Sequence, residues 1–318
     1  MAGILVLGGS GFIGSALCEK LVERFGSGSA RIAVPTHRRA RARHLQLLPT
    51  VEIVPADVHD DHQLERLVRS CDAVVNLVGI LHGSEAEFER AHVQLPRRLA
   101  QACTVAGVNR VVHVSAIGAD EKAPSRYLRS KAAGEAALAA KALDLTVLRP
   151  SVVFGEGDRF LTTFAHLQSW LPVMAVPSPK TRFQPVWVED VAAAIVRCLD
   201  DRTTIGETIE CAGPEVYTLE ELVRLAGRMS GHARPVIGIP DPVARVQAWL
   251  FESLPGEPML SRDNLDSMKI ANVASGALPG LARLGIRATA LEAIAPLYLG
   301  RRRWTARLGE WRAAIHRR

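Results

Sequence analysis

The spacing of apolar residues changes character along this chain. Through the first half, short unbroken apolar runs alternate with longer stretches in which apolar residues recur every three or four positions. The runs are Ile4–Leu7, Ile32–Val34, Val51–Val54, Ala73–Leu77, Val111–Val114 and Leu145–Leu148. Helical patterns at Ser15–Phe25, Gln63–Ser70, Glu85–Ala106 and Arg126–Leu143 lie between most of them. A run such as Ala73-Val74-Val75-Asn76-Leu77 does not alternate with polar residues, as expected of a strand covered on both faces. The pattern predicts an α/β fold, a Rossmann-type doubly wound parallel sheet whose ligand lies over the carboxyl ends of the strands. After Pro150 the periodicity loosens, and prolines 172, 177, 179 and 185 interrupt it. A strand at Glu207–Ala212 and a helix at Leu219–Met229 follow. The organisation expected is a core over 1–150, a smaller C-terminal lobe over 151–298 with elements returning to the core, and a tail over 299–318. In the lobe, Phe160, Trp170, Phe183 and Trp187 suit either an apolar pocket or ordinary core.

Charge separates the tail from the rest. The chain carries a net +6, and residues 299–318, with seven arginines and Glu310, account for all of it. The body is therefore neutral, which argues against a nucleic-acid-binding face. Within the tail, Trp304, Leu308, Trp311 and Ile315 form one apolar stripe at helical spacing. Such a basic amphipathic helix over 301–318 suits a membrane surface, a protein partner, or its own body. Five scattered cysteines without a C-x-x-C pair fit a reducing compartment. The first strand starts within three residues, leaving no room for a signal peptide, and no apolar run approaches the ~18 residues of a membrane span. The expected location is the cytoplasm, or the inner face of a membrane reached through the tail. No spacing of histidines, cysteines or carboxylates suggests a metal.

The strongest local signal is at the amino end. The first apolar run leads into Gly8-Gly9-Ser10-Gly11-Phe12-Ile13-Gly14, and a helix follows at once. Gly8 permits the sharp turn, Gly11 lets the backbone approach a phosphate, and Gly14 lets the helix lie close to the sheet. The helix N-terminus then offers amides to a pyrophosphate. After the second strand, His37-Arg38-Arg39-Ala40-Arg41-Ala42-Arg43 contains no acid to take a ribose 2′-hydroxyl, as an NAD-selective site usually has. Arginines suit a 2′-phosphate, so the cofactor expected is NADP(H) rather than NAD, with Arg38 first and Arg39 second.

A further constellation lies past the fifth run. Ser115 follows the strand, and Tyr127 and Lys131 stand four apart on a helical pattern, on one face. A nearby ammonium is expected to lower the phenol's pKa, so that the tyrosine exchanges a proton with a substrate oxygen. His82 follows on a loop, suited to a substrate role or to capping. His113 reads as a satisfied core residue and His92 as a packed one.

Together these pieces resemble the short-chain dehydrogenase/reductase superfamily in its extended or atypical, epimerase/dehydratase-like branch. The matching segments are the glycine turn, Asp57-Val58, Asn76-Leu77-Val78-Gly79, Ser115, Tyr127 with Lys131, and Arg149-Pro150-Ser151-Val152-Val153-Phe154-Gly155. The segments Val78–His82, Val114–Ala119 and Phe183–Ala192 resemble the group of the reductase-like accessory subunit of respiratory complex I. The resemblance implies that Asp57 bonds the adenine beside Val58, and that Asn76, Leu77, Val78 and Gly79 line the adenosine ribose. It also implies that Pro150, Val152 and Val153 pass the nicotinamide, that Lys131 touches its ribose, and that Ser115 and Tyr127 face substrate. For Asp57 a helix N-cap is the alternative role. Tyr127 stands only twelve positions after Ser115, closer than in extended members.

Three functions follow. One is an NADP(H)-dependent oxidoreductase of an unidentified small molecule, apolar and quinone- or lipid-like. Another is a non-catalytic NADP(H)-holding accessory or assembly protein at the membrane. A redox-sensing regulator is a third. Oligomeric state is not read from the sequence.

Overall fold

A computed structural model describes residues 3–26, 30–253, 256 and 258–300. The described residues divide into two units. The first comprises residues up to Ser151 together with Val188–Ala212 and Ala274–Ala288. The second comprises Val152–Trp187, Gly213–Val273 and the residues from Thr289.

In the first unit every apolar run forms a parallel strand: β1 (Gly3–Leu7), β2 (Arg31–Thr36), β3 (Val51–Pro55), β4 (Ala73–Asn76), β5 (Arg110–Val114) and β6 (Asp144–Pro150). A seventh strand, Thr208–Cys211, joins the edge at β6. The order across the sheet is Thr208–Cys211, β6, β5, β4, β1, β2, β3. The turn of order at β1 and β4 is the doubly wound arrangement, and it opens a crevice beyond the carboxyl ends of those strands.

Helices cover both faces. On one, α2 (Asp61–Val68), α4 (Leu95–Ala106) and α5 (Arg126–Ala139) bury Leu64, Leu67, Leu95, Leu99 and Leu138 against Leu5, Leu7, Val74, Val111 and Val147. Each such side chain contributes roughly 1.5–3 kcal/mol. On the sequence alternation the opposite side chains of the strands face α1 (Phe12–Phe25) and the helix Val188–Asp200, which pack on one another. The ion pairs Lys20–Glu189 (3.2 Å) and Arg24–Asp200 (2.9 Å) join those two helices. A buried guanidinium locks the far end of the sheet: Arg110 donates to the Asp144 carbonyl at 2.6 Å, to Thr146 Oγ1 at 2.9 Å and to the Cys198 carbonyl.

The helical pattern read over Glu85–Ala106 is not one helix. It runs as α3 (Glu85–Phe88), a π-helical turn over Glu89–Gln94, and α4. The amphipathic period survives such a bulge almost unchanged, so the pattern conceals it. The helix read to Leu143 ends at Ala139.

The second unit has its own core, formed by Phe154, Leu161, Met174, Leu222, Leu291 and Tyr298 among others. Phe160 and Phe183 stack there, their ring centroids 5.6 Å apart, and Trp187 packs against the same core. Trp170 does neither of the things expected of it, for it is 77% exposed. Among the described residues no helix is long and apolar enough to cross a membrane. The apolar stripe expected over 301–318 lies outside the described residues.

Candidate functional site

The first unit gathers almost all the expected site residues at the carboxyl ends of β1 to β6. Gly8 closes β1 with φ +79°, a left-handed conformation that glycine adopts freely. A Cβ on Gly8 would lie 3.1 Å from the Leu77 carbonyl carbon and the Val78 nitrogen, so β1 and the chain leaving β4 meet there backbone to backbone. A Cβ on Gly14 would lie 2.4 Å from the Gly8 carbonyl oxygen. Gly11 caps α1 without any side-chain bond to its free amides, and no acid occupies the first turn. Ser10, Phe12 and Ile13 are half-buried along the same turn. The turn is closely packed backbone on backbone, and a side chain at Gly14 would force it apart.

Beside it lies a cationic turn. Beyond Thr36 the chain forms a 3-10 helix over Arg39–Leu47, held by buried Ala42 and Leu45. Arg38 and Arg39 are exposed and without an ion-pair partner among the described residues. His37 Nε2 meets Asp57 Oδ1 at 3.1 Å, which joins two residues expected at the adenosine end. Asp57 also accepts from the His59 amide at 2.7 Å. Burial works against the Asp57 carboxylate, but that amide bond and His37 hold its pKa below the usual value. The alternative of an N-cap fails, because Asp60 caps α2 through the Gln63 amide at 2.8 Å. Val58 packs against the core beside it.

Toward the middle of the sheet, Asn76 is fully buried. Its Oδ1 accepts from the Val78 amide at 3.2 Å and its Nδ2 donates to His113 Nδ1 at 3.2 Å. Asn76 therefore shapes the Leu77–Gly79 turn from within, and only Gly79 of that turn is exposed. Because His113 Nδ1 accepts, its Nε2 carries the hydrogen, and that atom is buried without a partner. The expectation of a satisfied core histidine is thus half right. Burial, reinforced by Lys131 and His92, keeps His113 neutral.

The proposed chemical pair rests on a buried scaffold. The Lys131 ammonium is 4% exposed and donates to the Val114 carbonyl at 2.8 Å. Burial lowers its pKa to about 8, against the opposing pull of Glu135. Glu135 is itself held by Arg149 through bonds of 3.0 and 2.6 Å. The lowered phenol pKa expected of Tyr127 is not found. Desolvation pushes it up to about 12, so the phenol is protonated at neutral pH. Ser115 receives backbone support from its own amide, bonded to the Leu148 carbonyl at 2.7 Å. Its hydroxyl is buried and has no partner. Tyr127 packs against a small cluster of Ala116, Ala123 and Leu128, of which Ala116 is the residue after Ser115.

His92 is packed, as expected, and it is also tied into a hydrogen-bond chain that the pattern does not show. The Ile80 amide donates to its Nε2 at 3.0 Å, so Nδ1 carries the hydrogen and donates to Ser130 Oγ at 2.8 Å. Ser130 passes the chain on to the Tyr127 carbonyl at 2.8 Å. The ring lies edge-on to Tyr127 with centroids 5.6 Å apart. Burial and then Lys131 press its pKa down to about 3. A Cβ on Gly134 would fall 2.0 Å from the His92 carbonyl oxygen, so α5 can approach the π-turn only because Gly134 lacks one. The only available signal was a histidine among apolar positions, which fits plain packing equally well.

Pro150 ends β6, and its carbonyl accepts from the Ile117 amide at 2.9 Å. Val152 and Val153 belong to the second unit, where Asn272 Oδ1 accepts from the Val152 amide at 2.7 Å. His82 is half-buried on the loop past Gly79. Among the described residues no cluster could hold a metal ion.

A family model described as "NAD dependent epimerase/dehydratase family" matches residues 4–212. The mitochondrial NADH dehydrogenase [ubiquinone] 1 alpha subcomplex subunit 9 of Mus musculus is 34% identical over 296 residues, 90% of this chain and 77% of the relative. A ceramide reductase of Caulobacter vibrioides is 29% identical over 254 residues, 77% of this chain and 78% of the relative. Among solved structures, the UDP-glucuronic acid 4-epimerase of Bacillus cereus, in complex with UDP-glucuronic acid and NAD, superimposes with a TM-score of 0.70. It is 17% identical and covers 93% of this chain and 98% of its own.

Proposed function

We propose, from the premise that this chain belongs to the NAD dependent epimerase/dehydratase family, that its first unit holds NADP(H) and reduces the carbonyl of an apolar small molecule. The observation that carries the reading is the Ser115 hydroxyl, buried without a partner among the described residues and directly before Ala116, a member of the small apolar cluster on which Tyr127 packs. An unpaired buried hydroxyl costs about 1–3 kcal/mol, and a substrate oxygen in that place would remove the cost. The residues fit the cofactor: the Gly8–Gly14 cradle takes a pyrophosphate, Arg38 and Arg39 a 2′-phosphate, Asp57 and Val58 an adenine, and Leu77, Val78 and Gly79 a ribose. Lys131 has ammonium hydrogens left for a ribose hydroxyl after its bond to Val114.

A bound nicotinamide supplies hydride. The chain supplies the rest. Ser115 orients the substrate oxygen, and Tyr127, protonated at neutral pH, donates a proton to it as the carbonyl is reduced. Lys131 supports the resulting phenolate, and its charge is present below about pH 8. A quinone-like or long-chain lipid ketone is the substrate class we favour. The ceramide reductase among the relatives supports that choice. The test is the loss of nicotinamide absorbance when purified protein and NADPH meet a panel of quinones and long-chain ketones. Oxidation by wild type and none by Tyr127→Phe is the expected result. Tight NADPH binding with no turnover on any of them would reject the oxidoreductase reading.

A second reading is favoured by the same relatives. In it the chain is a non-catalytic NADP(H)-holding accessory protein, docked through 301–318 to a membrane surface or to a protein complex. The 34% identical relative bears the name of a respiratory-complex subunit. Under this reading Tyr127→Phe leaves cellular function intact, whereas truncation after Gly300 releases the protein from its membrane or complex fraction.

A further inference from the structure

The cationic turn after β2 is held at both ends. At its start, His37 is bonded to Asp57 (3.1 Å), and Thr36 Oγ1 accepts from the Arg38 amide at 3.2 Å. At its far end, His44 Nε2 lies 2.8 Å from Ser15 Oγ. Ser15 stands in the first turn of α1 and donates its own hydroxyl hydrogen to the Gly11 carbonyl at 2.8 Å. Its oxygen is therefore left to accept, and His44 is the donor. The bond thus ties the turn directly to the cap of the phosphate cradle.

The local geometry explains why this tie governs the arginines. A 3-10 helix repeats every three residues, so its side chains stand in eclipsed rows. Ala42 and Leu45 form the inward row, both fully buried. Arg38 is the extended residue immediately before this helix and Arg39 is its first residue. Holding His44 against α1 fixes the position of the helix, and with it the backbone from which Arg38 and Arg39 project. The Arg38 and Arg39 side chains are exposed and have no ion-pair partner among the described residues to orient them.

We infer that Ser15 and His44 are positioning residues for cofactor selection: their hydrogen bond pre-orders the Arg38–Arg39 turn for a ribose 2′-phosphate. The inference rests on the reading of this site as one for NADP(H). Pre-ordering matters because fixing a mobile, rotamer-rich side chain on binding costs about 0.5–1.5 kcal/mol, roughly two- to tenfold in affinity. That cost falls on NADPH, whose extra phosphate needs the turn, and not on NADH, which lacks it.

The experiment is a set of nucleotide titrations followed by nicotinamide fluorescence, using wild type, His44→Ala, His44→Gln, Ser15→Ala, and Arg38→Ala with Arg39→Ala. His44 is exposed, so its replacement leaves the fold in place. His44→Ala should weaken NADPH by about fivefold and NADH by less than about twofold. His44→Gln, which keeps a donor, should recover most of the loss. Ser15→Ala should reproduce His44→Ala, and combining the two should add nothing further. In the double-arginine background, His44→Ala should have no effect on NADPH. Equal losses for both nucleotides would overturn the inference, as would an undiminished effect of His44→Ala without the arginines. The parent reading fails by a different result, an NADPH affinity that the double-arginine change leaves untouched.

Discussion

The two halves of the candidate site are built by opposite means. The half formed by β1, β2 and β3 is open, made of glycines and exposed arginines, and takes its shape from backbone. The half formed by β5, α5 and the π-turn is closed, and nearly every polar atom in it is already used. Lys131 is bonded to Val114, Glu135 to Arg149, and His92 to both Ile80 and Ser130. Ser115 Oγ and His113 Nε2 are exceptions, buried without partners. In the proposed function the contrast separates holding a nucleotide from doing chemistry with it. The open half offers exposed cationic and backbone groups to a ligand. An interlocked half keeps a tyrosine protonated and a lysine buried, at an electrostatic cost that only a reaction or an inherited scaffold explains.

The sharpest way to break this comparison is Tyr127→Phe. Loss of a general acid lowers turnover by about 10²- to 10⁴-fold, while NADPH affinity should stay within about twofold of wild type. Steady-state rates and nucleotide titrations on one preparation check both. Parallel losses would show that the halves are one unit. Next comes Gly14→Ala. The added methyl would overlap the Gly8 carbonyl oxygen, 2.4 Å away, so the cradle must open. NADPH and NADH should both weaken about a hundredfold, since the pyrophosphate is common to them. Smaller again is Arg38→Ala with Arg39→Ala. Exposed to water, the two guanidiniums together should contribute about 1.5–3 kcal/mol, the range of one bond to a charged group, so NADPH should weaken roughly ten- to a hundredfold and NADH hardly at all. Equal losses would move the 2′-phosphate elsewhere.

The open half was legible in the sequence and the closed half was not, for a physical reason. A glycine that must turn or stand clear leaves its mark locally: Gly8, Gly11 and Gly14 follow a strand and precede a helix, and the absence of an acid from 37–43 is visible at once. The parallel strands were equally legible, because burial on both faces writes an unbroken apolar run. The closed half is made by contacts between distant residues. Nothing near His92 in the sequence shows that it bonds Ile80 and Ser130, and a π-turn leaves the apolar spacing of Glu85–Ala106 nearly intact. The phenol of Tyr127 was expected to be lowered because Lys131 stands four residues on. Adjacency on a helix was right, but the direction was set by burial of the whole cluster.

Acid provides the gentlest probe of the closed half. His92 is held neutral in the fold, with its pKa lowered from 6.5 to about 3, chiefly by burial and then by Lys131. In the unfolded chain it regains its ordinary value. As pH falls below 6.5 the unfolded state therefore takes up a proton that the folded state refuses, and stability is lost progressively until about pH 3. From pH 6.5 to about 5.5 the loss from this one group is about 1 kcal/mol, and His113, lowered in the same direction, adds to it. In the open half His59, beside Asp57 past the end of β3, is lowered in the same direction by burial and then Arg90, so part of the total acid loss comes from there and the His92 variant is needed to separate the two. The measurement is urea unfolding of wild type and His92→Gln at the two pH values. Glutamine keeps one donor and one acceptor but cannot titrate, so its stability should fall less between them. The same fall in both proteins would mean that His92 is protonated in the fold, and that the interlocked half is more open to water than its bonds imply.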